Sequence, residues 1–173
     1  MKRTLPILTG AGMLVSLCVL PAYASLPACE AVVKEANALL EKQDKPAVQE
    51  VQKLVVLLQA LNRGNILPAE YVTRSQAMEQ GWSGRAEDLL WNVRSPNKKQ
   101  VGGDLWTGKA PPGKGSWRLA NLESVPGQAS GKQSLYSQGN KTRYSTPDKR
   151  ATMGALAPCQ ERRGVARAPR LGR

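Results

Sequence analysis

The sequence predicts an α+β fold in which N-terminal helices pack on a small antiparallel sheet, with that sheet incomplete. Two segments in the first third of the chain repeat apolar residues at three-to-four spacing, as amphipathic helices do. The second of these stripes is wide enough to bury against a sheet. Further on, 116–122 and 133–138 read as short strands. Residues 139–173 are rich in Arg, Gly, Ala and Pro, with one Tyr, one Cys and no Phe, Trp or Ile. That end scarcely supplies the alternating apolar face a sheet needs, hence the incompleteness.

The first helix is expected over 28–41, where Val32, Val33, Ala36, Leu39 and Leu40 recur between Glu30, Lys34, Glu35 and Glu41. Gln43-Asp44-Lys45-Pro46 breaks it, and Pro46 suits the first turn of a following helix. That helix is expected over 47–61, with Val48, Val51, Leu54, Val55, Leu58 and Leu61 as its stripe. Asn62-Arg63-Gly64-Asn65 is a stop signal. Thr73 is a cap for a short helix through Gln80, with Gln76 in capping-box position. Gly81 suits the left-handed backbone that follows a helix. Trp82, Leu89, Leu90, Trp91 and Val93 are expected to make core contacts in a second small helix and its loop. Gly102-Gly103 permits close backbone approach beside Asp104, but lacks the further glycines of a nucleotide-binding fingerprint.

At 173 residues the chain suits one domain plus accessories. Its net charge is +12, unevenly spread. Residues 26–140 hold 14 cations and 11 anions, whereas 141–173 hold 9 and 2. Such a field favours polyanions in general and does not by itself define an RNA site. Residues 1–24 read as a secretory signal: Lys2 and Arg3, an apolar run over 8–20, then Ala22-Tyr23-Ala24 for cleavage. The expected location is therefore secreted, extracellular or periplasmic, with no membrane association after removal. Cys18 leaves with the signal. Cys29 and Cys159 remain, and either one bridge or two free thiols fits the sequence. There is no histidine and no C-x-x-C, so zinc and haem find no support. No cofactor is expected.

The block from 65 to 106 carries a resemblance. Leu67-Pro68, Tyr71-Val72-Thr73-Arg74, Ala77, Gly81-Trp82 and Val101-Gly102-Gly103-Asp104-Leu105-Trp106 follow the residue order of the secreted guanyl-specific microbial ribonucleases, of the barnase and binase type. The match degrades over 115–149, where Trp117-Arg118, Gly127, Leu135-Tyr136-Ser137 and Tyr144-Ser145-Thr146-Pro147-Asp148 still align. The residues give a signal at 1–24, an added helix and linker at 25–46 and a basic, disordered tail at 151–173, and the resemblance implies a ribonuclease-like domain at 47–150. It also implies cleavage of single-stranded RNA on the 3′ side of guanosine by metal-free transesterification, and a monomer. A small acidic inhibitor of the barstar type is its implied protein partner.

Residue by residue, Arg74 resembles the lysine that holds phosphate charge, and arginine adds a bidentate fork. Lys109 is the nearest candidate for a further phosphate cation. Asn92 and Arg94 fall in the base-recognition loop. The proton-transfer positions are lost. Leu119 stands at the general-base glutamate, Lys149 at the general-acid histidine, and Ala129 and Gln133 at two phosphate-binding arginines. A leucine accepts no proton, and a lysine with its ordinary pKa of about 10.4 holds its own too firmly to be a good acid at neutral pH. Losing one such partner costs about 10²–10⁴ in rate. Glu123 is a substitute base only if a strand carries it, and it would then lie about 13 Å past Leu119. The chain is thus expected to be a ribonuclease by ancestry and inactive in fact, the alternative being a non-enzymatic RNA-binding or protein-interaction module. Natural decay and a shifted reading frame after Thr107 both fit the contrast between the two halves.

Overall fold

The computed structural model describes residues 25–85, 87–124, 131–148 and 152–161. The signal expected at 1–24, Ala129, Lys149 and the end of the tail lie outside them. Ten short elements follow in order: α1 (Cys29–Glu41), α2 (Val51–Gly64), β1 (Tyr71–Val72), α3 (Arg74–Glu79), a 3₁₀ turn (Leu90–Asn92), β2 (Gln100–Leu105), β3 (Arg118–Asn121), β4 (Gln133–Ser137), β5 (Asn140–Thr146) and β6 (Gly154–Leu156). The strands form one open sheet in sequence order, β1 parallel to β2 and every other neighbour antiparallel. This is a small α+β domain with its N-terminal helices on a mixed sheet.

The helices follow their apolar stripes with two shifts. In α1, Val32, Val33, Ala36 and Leu40 are buried, but Leu39 faces out at 46% exposure. α2 starts at Val51 instead of 47. Asn37 holds Val48 in place by bonding both its N–H and its carbonyl, at 3.0 and 2.8 Å. That clasp keeps the backbone out of helical pairing. α2 buries Leu54, Val55, Leu57, Leu58 and Leu61, and runs on to Gly64 before Asn65 turns left-handed at φ 54°. Asn tolerates that conformation better than most residues. Thr73 and Gln76 close the expected capping box, and Gly81 has φ 103°. Trp82 and Leu90 bury with Val72 and Ala77 in a small second core. The helix expected around them is a single 3₁₀ turn.

Cross-strand pairs sort the sheet into two faces, since side chains alternate along a strand. Ala120, Tyr136 and Leu156 belong to the main core with α1 and α2, so their rungs, which include Arg118, Ser134, Arg143 and Ser145, face the helices. The opposite face carries the rung Leu119–Leu135–Tyr144 and the rung Asn121–Gln133–Thr146.

The C-terminal half corrects two expectations. Among the described residues the sheet has six strands, and the tail expected to be disordered from 151 contains β6 and a bridged cysteine. The physical reason is polar burial. Gln133, Ser134, Ser137, Ser145, Thr146 and Arg143 are all buried in strands β4 and β5, so the half forms ladders without an apolar alternation to announce them. Cys29 and Cys159 are joined across 130 residues. Beside the bridge, Cys29 N–H donates to Gln160 O at 3.1 Å and Gln160 N–H to Pro27 O at 2.9 Å. Asn62 adds a bond to the Cys159 carbonyl at 2.9 Å. The helix expected to be an accessory, α1, is therefore part of the main core and tied to the last strand.

Candidate functional site

Arg74 opens α3, exposed to solvent. Its backbone N–H is received by both oxygens of Asp104, at 3.0 and 3.2 Å. This places Asp104 at the start of a helix, where negative charge is favourable. The Arg74 guanidinium lies 5.2 Å from the centre of the Trp82 ring and donates to the Gly84 carbonyl. These cation–π and hydrogen-bond contacts keep the charge within its own loop. Gly84, at φ 77°, has no room to spare, for a Cβ there would sit 3.2 Å from the guanidinium.

Leu119 and Gln133 come together on the helix-free face of β3 and β4. Leu119 is half-buried and pairs with Leu135, which is fully buried. Gln133 is buried on the next rung and donates from Nε2 to Asn121 Oδ1 at 2.9 Å. Trp117 meets Tyr144 edge-on, 5.5 Å between ring centres. Strands β3, β4 and β5 contain no carboxylate and no imidazole. Asp148, past the end of β5, accepts from the Thr146 hydroxyl at 3.3 Å. It is four residues beyond Tyr144, which shares the Leu119 rung, a distance of about 13 Å along a strand.

The other sequence candidates sit in loops. Asn92 and Arg94 are exposed around a turn that Trp91 braces by donating to Lys99 O at 2.7 Å. Lys109 is exposed too, and its carbonyl accepts from Trp106 Nε1 at 2.9 Å. Among the described residues the side chains of Asn92, Arg94 and Lys109 make no hydrogen bond or ion pair.

Glu123 is not carried by a strand. β3 ends before it, and Glu123 turns with φ 55° towards the start of α2. Its carboxylate accepts from Gln49 N–H, from Glu50 N–H at 3.2 Å and from Lys132 at 2.6 Å. Burial works against its ionisation, but the Lys132 and backbone donors outweigh it and lower its pKa. A carboxyl whose folded pKa is depressed contributes stability above its unfolded pKa, and that contribution is lost as pH falls through the folded value. Glu123→Gln should therefore destabilise by about 1–2 kcal/mol at pH 7, with the difference from the parent closing in acid. Urea unfolding at pH 7 and pH 3 measures it. A gap that stays constant with pH would mean the charge contributes nothing.

On the helix-facing side, an open cleft of about 310 Å³ lies among Asn65, Tyr71, Gly102, Arg118, Tyr136 and neighbours. Gly102 is required there, since a Cβ would come within 2.6 Å of the Tyr71 ring. No period or motif marks this cleft, because its residues come from five separate segments.

No group of metal-ligating side chains occurs among the described residues, and no helix among them is long and apolar enough to cross a membrane. No protein-family model matches the chain, and no curated protein matches it.

Proposed function

We propose that this chain descends from the secreted guanyl-specific ribonucleases and no longer cleaves RNA. The observation that carries the reading is the helix-free face of the sheet. Metal-free transesterification needs one group to take the 2′-hydroxyl proton and another to protonate the departing 5′-oxygen. Leu119, Leu135, Tyr144, Asn121, Gln133 and Thr146 fill that face, and none is a workable acid–base pair at neutral pH. The sequence likeness over 65–106 falls on β1, α3 and β2 as one connected unit, which supports common ancestry. The bridged cysteines suit an oxidising compartment, in keeping with export. An inhibitor protecting the producing cell would then be unnecessary.

A second activity, RNA binding without cleavage, is favoured by one observation. Arg94, Lys98, Lys109, Lys114 and Lys141 are all exposed and form no ion pairs among the described residues. Free cations of this kind bind phosphate backbones with steep salt dependence.

Mature protein incubated with a guanosine-containing dinucleotide is expected to give no product above the buffer control. Turnover at rates of about 1 s⁻¹ or more, ordinary for an enzyme, would overturn the reading. Single-stranded RNA should bind at low salt and dissociate as salt rises. If no binding occurs even at low salt, the second activity is wrong while the first stands.

A further inference from the structure

The cleft on the helix-facing side is lined by one exposed cation and backed by a buried one. Arg118 is the charged residue in its lining, and one guanidinium nitrogen donates to the Gly103 carbonyl. It has no ion-pair partner among the described residues. Beside it, Tyr136 is 4% exposed and lines the cleft. Behind Tyr136 lies Arg143, also 4% exposed. Arg143 donates to the carbonyls of Asn140 and Leu61 and, at 2.8 Å, to Oδ1 of Asn65, itself a cleft residue. Every one of these acceptors is neutral, and the buried Nε of Arg143 has no partner. The carboxylate that acts on Tyr136 is Asp104, whose oxygens receive the α3 N–H.

Burying a guanidinium without a counter-charge is costly, and leaving polar atoms unpaired beside it adds to the cost. A bound anion supplies the missing counter-charge. Arginine forks and hydroxyl donors are the groups that recognise tetrahedral oxyanions. The cleft volume is at the lower end of pockets that take small molecules, larger than a single anion needs.

We propose that this cleft binds a small phosphate-class oxyanion, with Arg118 and Tyr136 donating to its oxygens and Arg143 supplying positive charge from behind. The site lies on the opposite side of the sheet from Leu119, so it does not rest on the ribonuclease reading. Burial raises the pKa of Tyr136, which keeps its hydroxyl a donor through the physiological range.

The test titrates the oxidised mature protein with inorganic phosphate and, separately, with phenyl phosphate. Ionic strength is held constant with sodium chloride. Binding is followed by Tm and by NMR shifts assigned to Arg118 and Tyr136. Both anions should saturate, and a tighter phenyl ester would identify an organic phosphate as the ligand. Tighter inorganic phosphate would identify the free anion, and either order supports the site. Arg118→Gln should weaken binding about tenfold or more, the loss of a charge-assisted donor. Tyr136→Phe should weaken it less. Lys42→Gln, which removes an exposed charge at the end of α1, should leave it unchanged. The proposal fails if neither anion saturates, if Arg118→Gln binds like the parent, or if Lys42→Gln weakens binding as much as Arg118→Gln does. Because the shifts are read on the unaltered protein, perturbations confined to the exposed basic loops would also refute it, whatever the variants' stability.

Discussion

Replacing Cys29 and Cys159 together by alanine is expected to lower stability by about 3–5 kcal/mol. The bridge spans 130 residues, and closing a loop of that length removes chain entropy worth about 5 kcal/mol from the unfolded state. The measured loss should fall at or below that figure, because unfolded chains retain some compactness. The bridge also sits inside the core with Val32, Val33, Ala36 and Leu156. Its removal therefore leaves two small voids where α1 meets the end of the chain. Urea unfolding of the parent and the double variant gives the difference directly, and the parent under reducing conditions should resemble the variant. Out of a typical total of about 5–15 kcal/mol, such a loss decides whether the domain folds at body temperature. A loss below about 1 kcal/mol would mean that the terminal pairing at Ala28 and Gln160 already holds the ends together.

The bridge also bears on how the two halves of the sequence came to differ. A shifted reading frame offers no reason for a cysteine to arrive beside Cys29, or for Gly154–Leu156 to pair with β5 in register. On the proposed ancestry, divergence of one continuous domain accounts for both.

Legibility in the sequence followed the type of interaction. α1, α2 and the Thr73 cap could be read because apolar period and capping chemistry are local signals. The beginning of α2 could not, since it is set by Asn37 and Glu123, one of them 74 positions away from the Gln49 N–H it receives. β4 is buried along its whole length while only Leu135 and Tyr136 are apolar, so no alternation marks it. For the candidate site, the sequence named Leu119 and Gln133 separately, and only the strand pairing shows that they share one face on adjacent strands. What the sequence missed was the role of Glu123, just past that strand and found holding a helix, together with the cleft at Arg118 and Tyr136. Buried polar groups satisfied over long range leave no periodic trace.

If the proposed ancestry holds, introducing cleavage is the largest change to expect, and it requires a substitution the resemblance does not name. Leu119→Glu with Lys149→His returns a base and an acid, and Ala129→Arg with Gln133→Arg returns phosphate cations. Position 133, however, is buried at 5% exposure, and its side-chain partner is Asn121, a neutral amide. A guanidinium placed there would be an uncompensated buried charge, which destabilises strongly. Asn121→Asp supplies the missing counter-charge across the same rung. The five-fold variant is therefore expected to fold, whereas the four-fold variant lacking Asn121→Asp is expected to lose several kcal/mol. On a guanosine dinucleotide the five-fold variant should exceed the parent by about 10² or more, as acid and base together contribute. Its rate should pass through a maximum with pH between the carboxyl and imidazole pKa values. Leu119→Glu alone should give little, because a base without its acid completes only half of the proton transfer. If the five-fold variant folds and still fails to cleave, Leu119 does not occupy a catalytic position and the ancestry argued from residues 65–106 loses its chemical support.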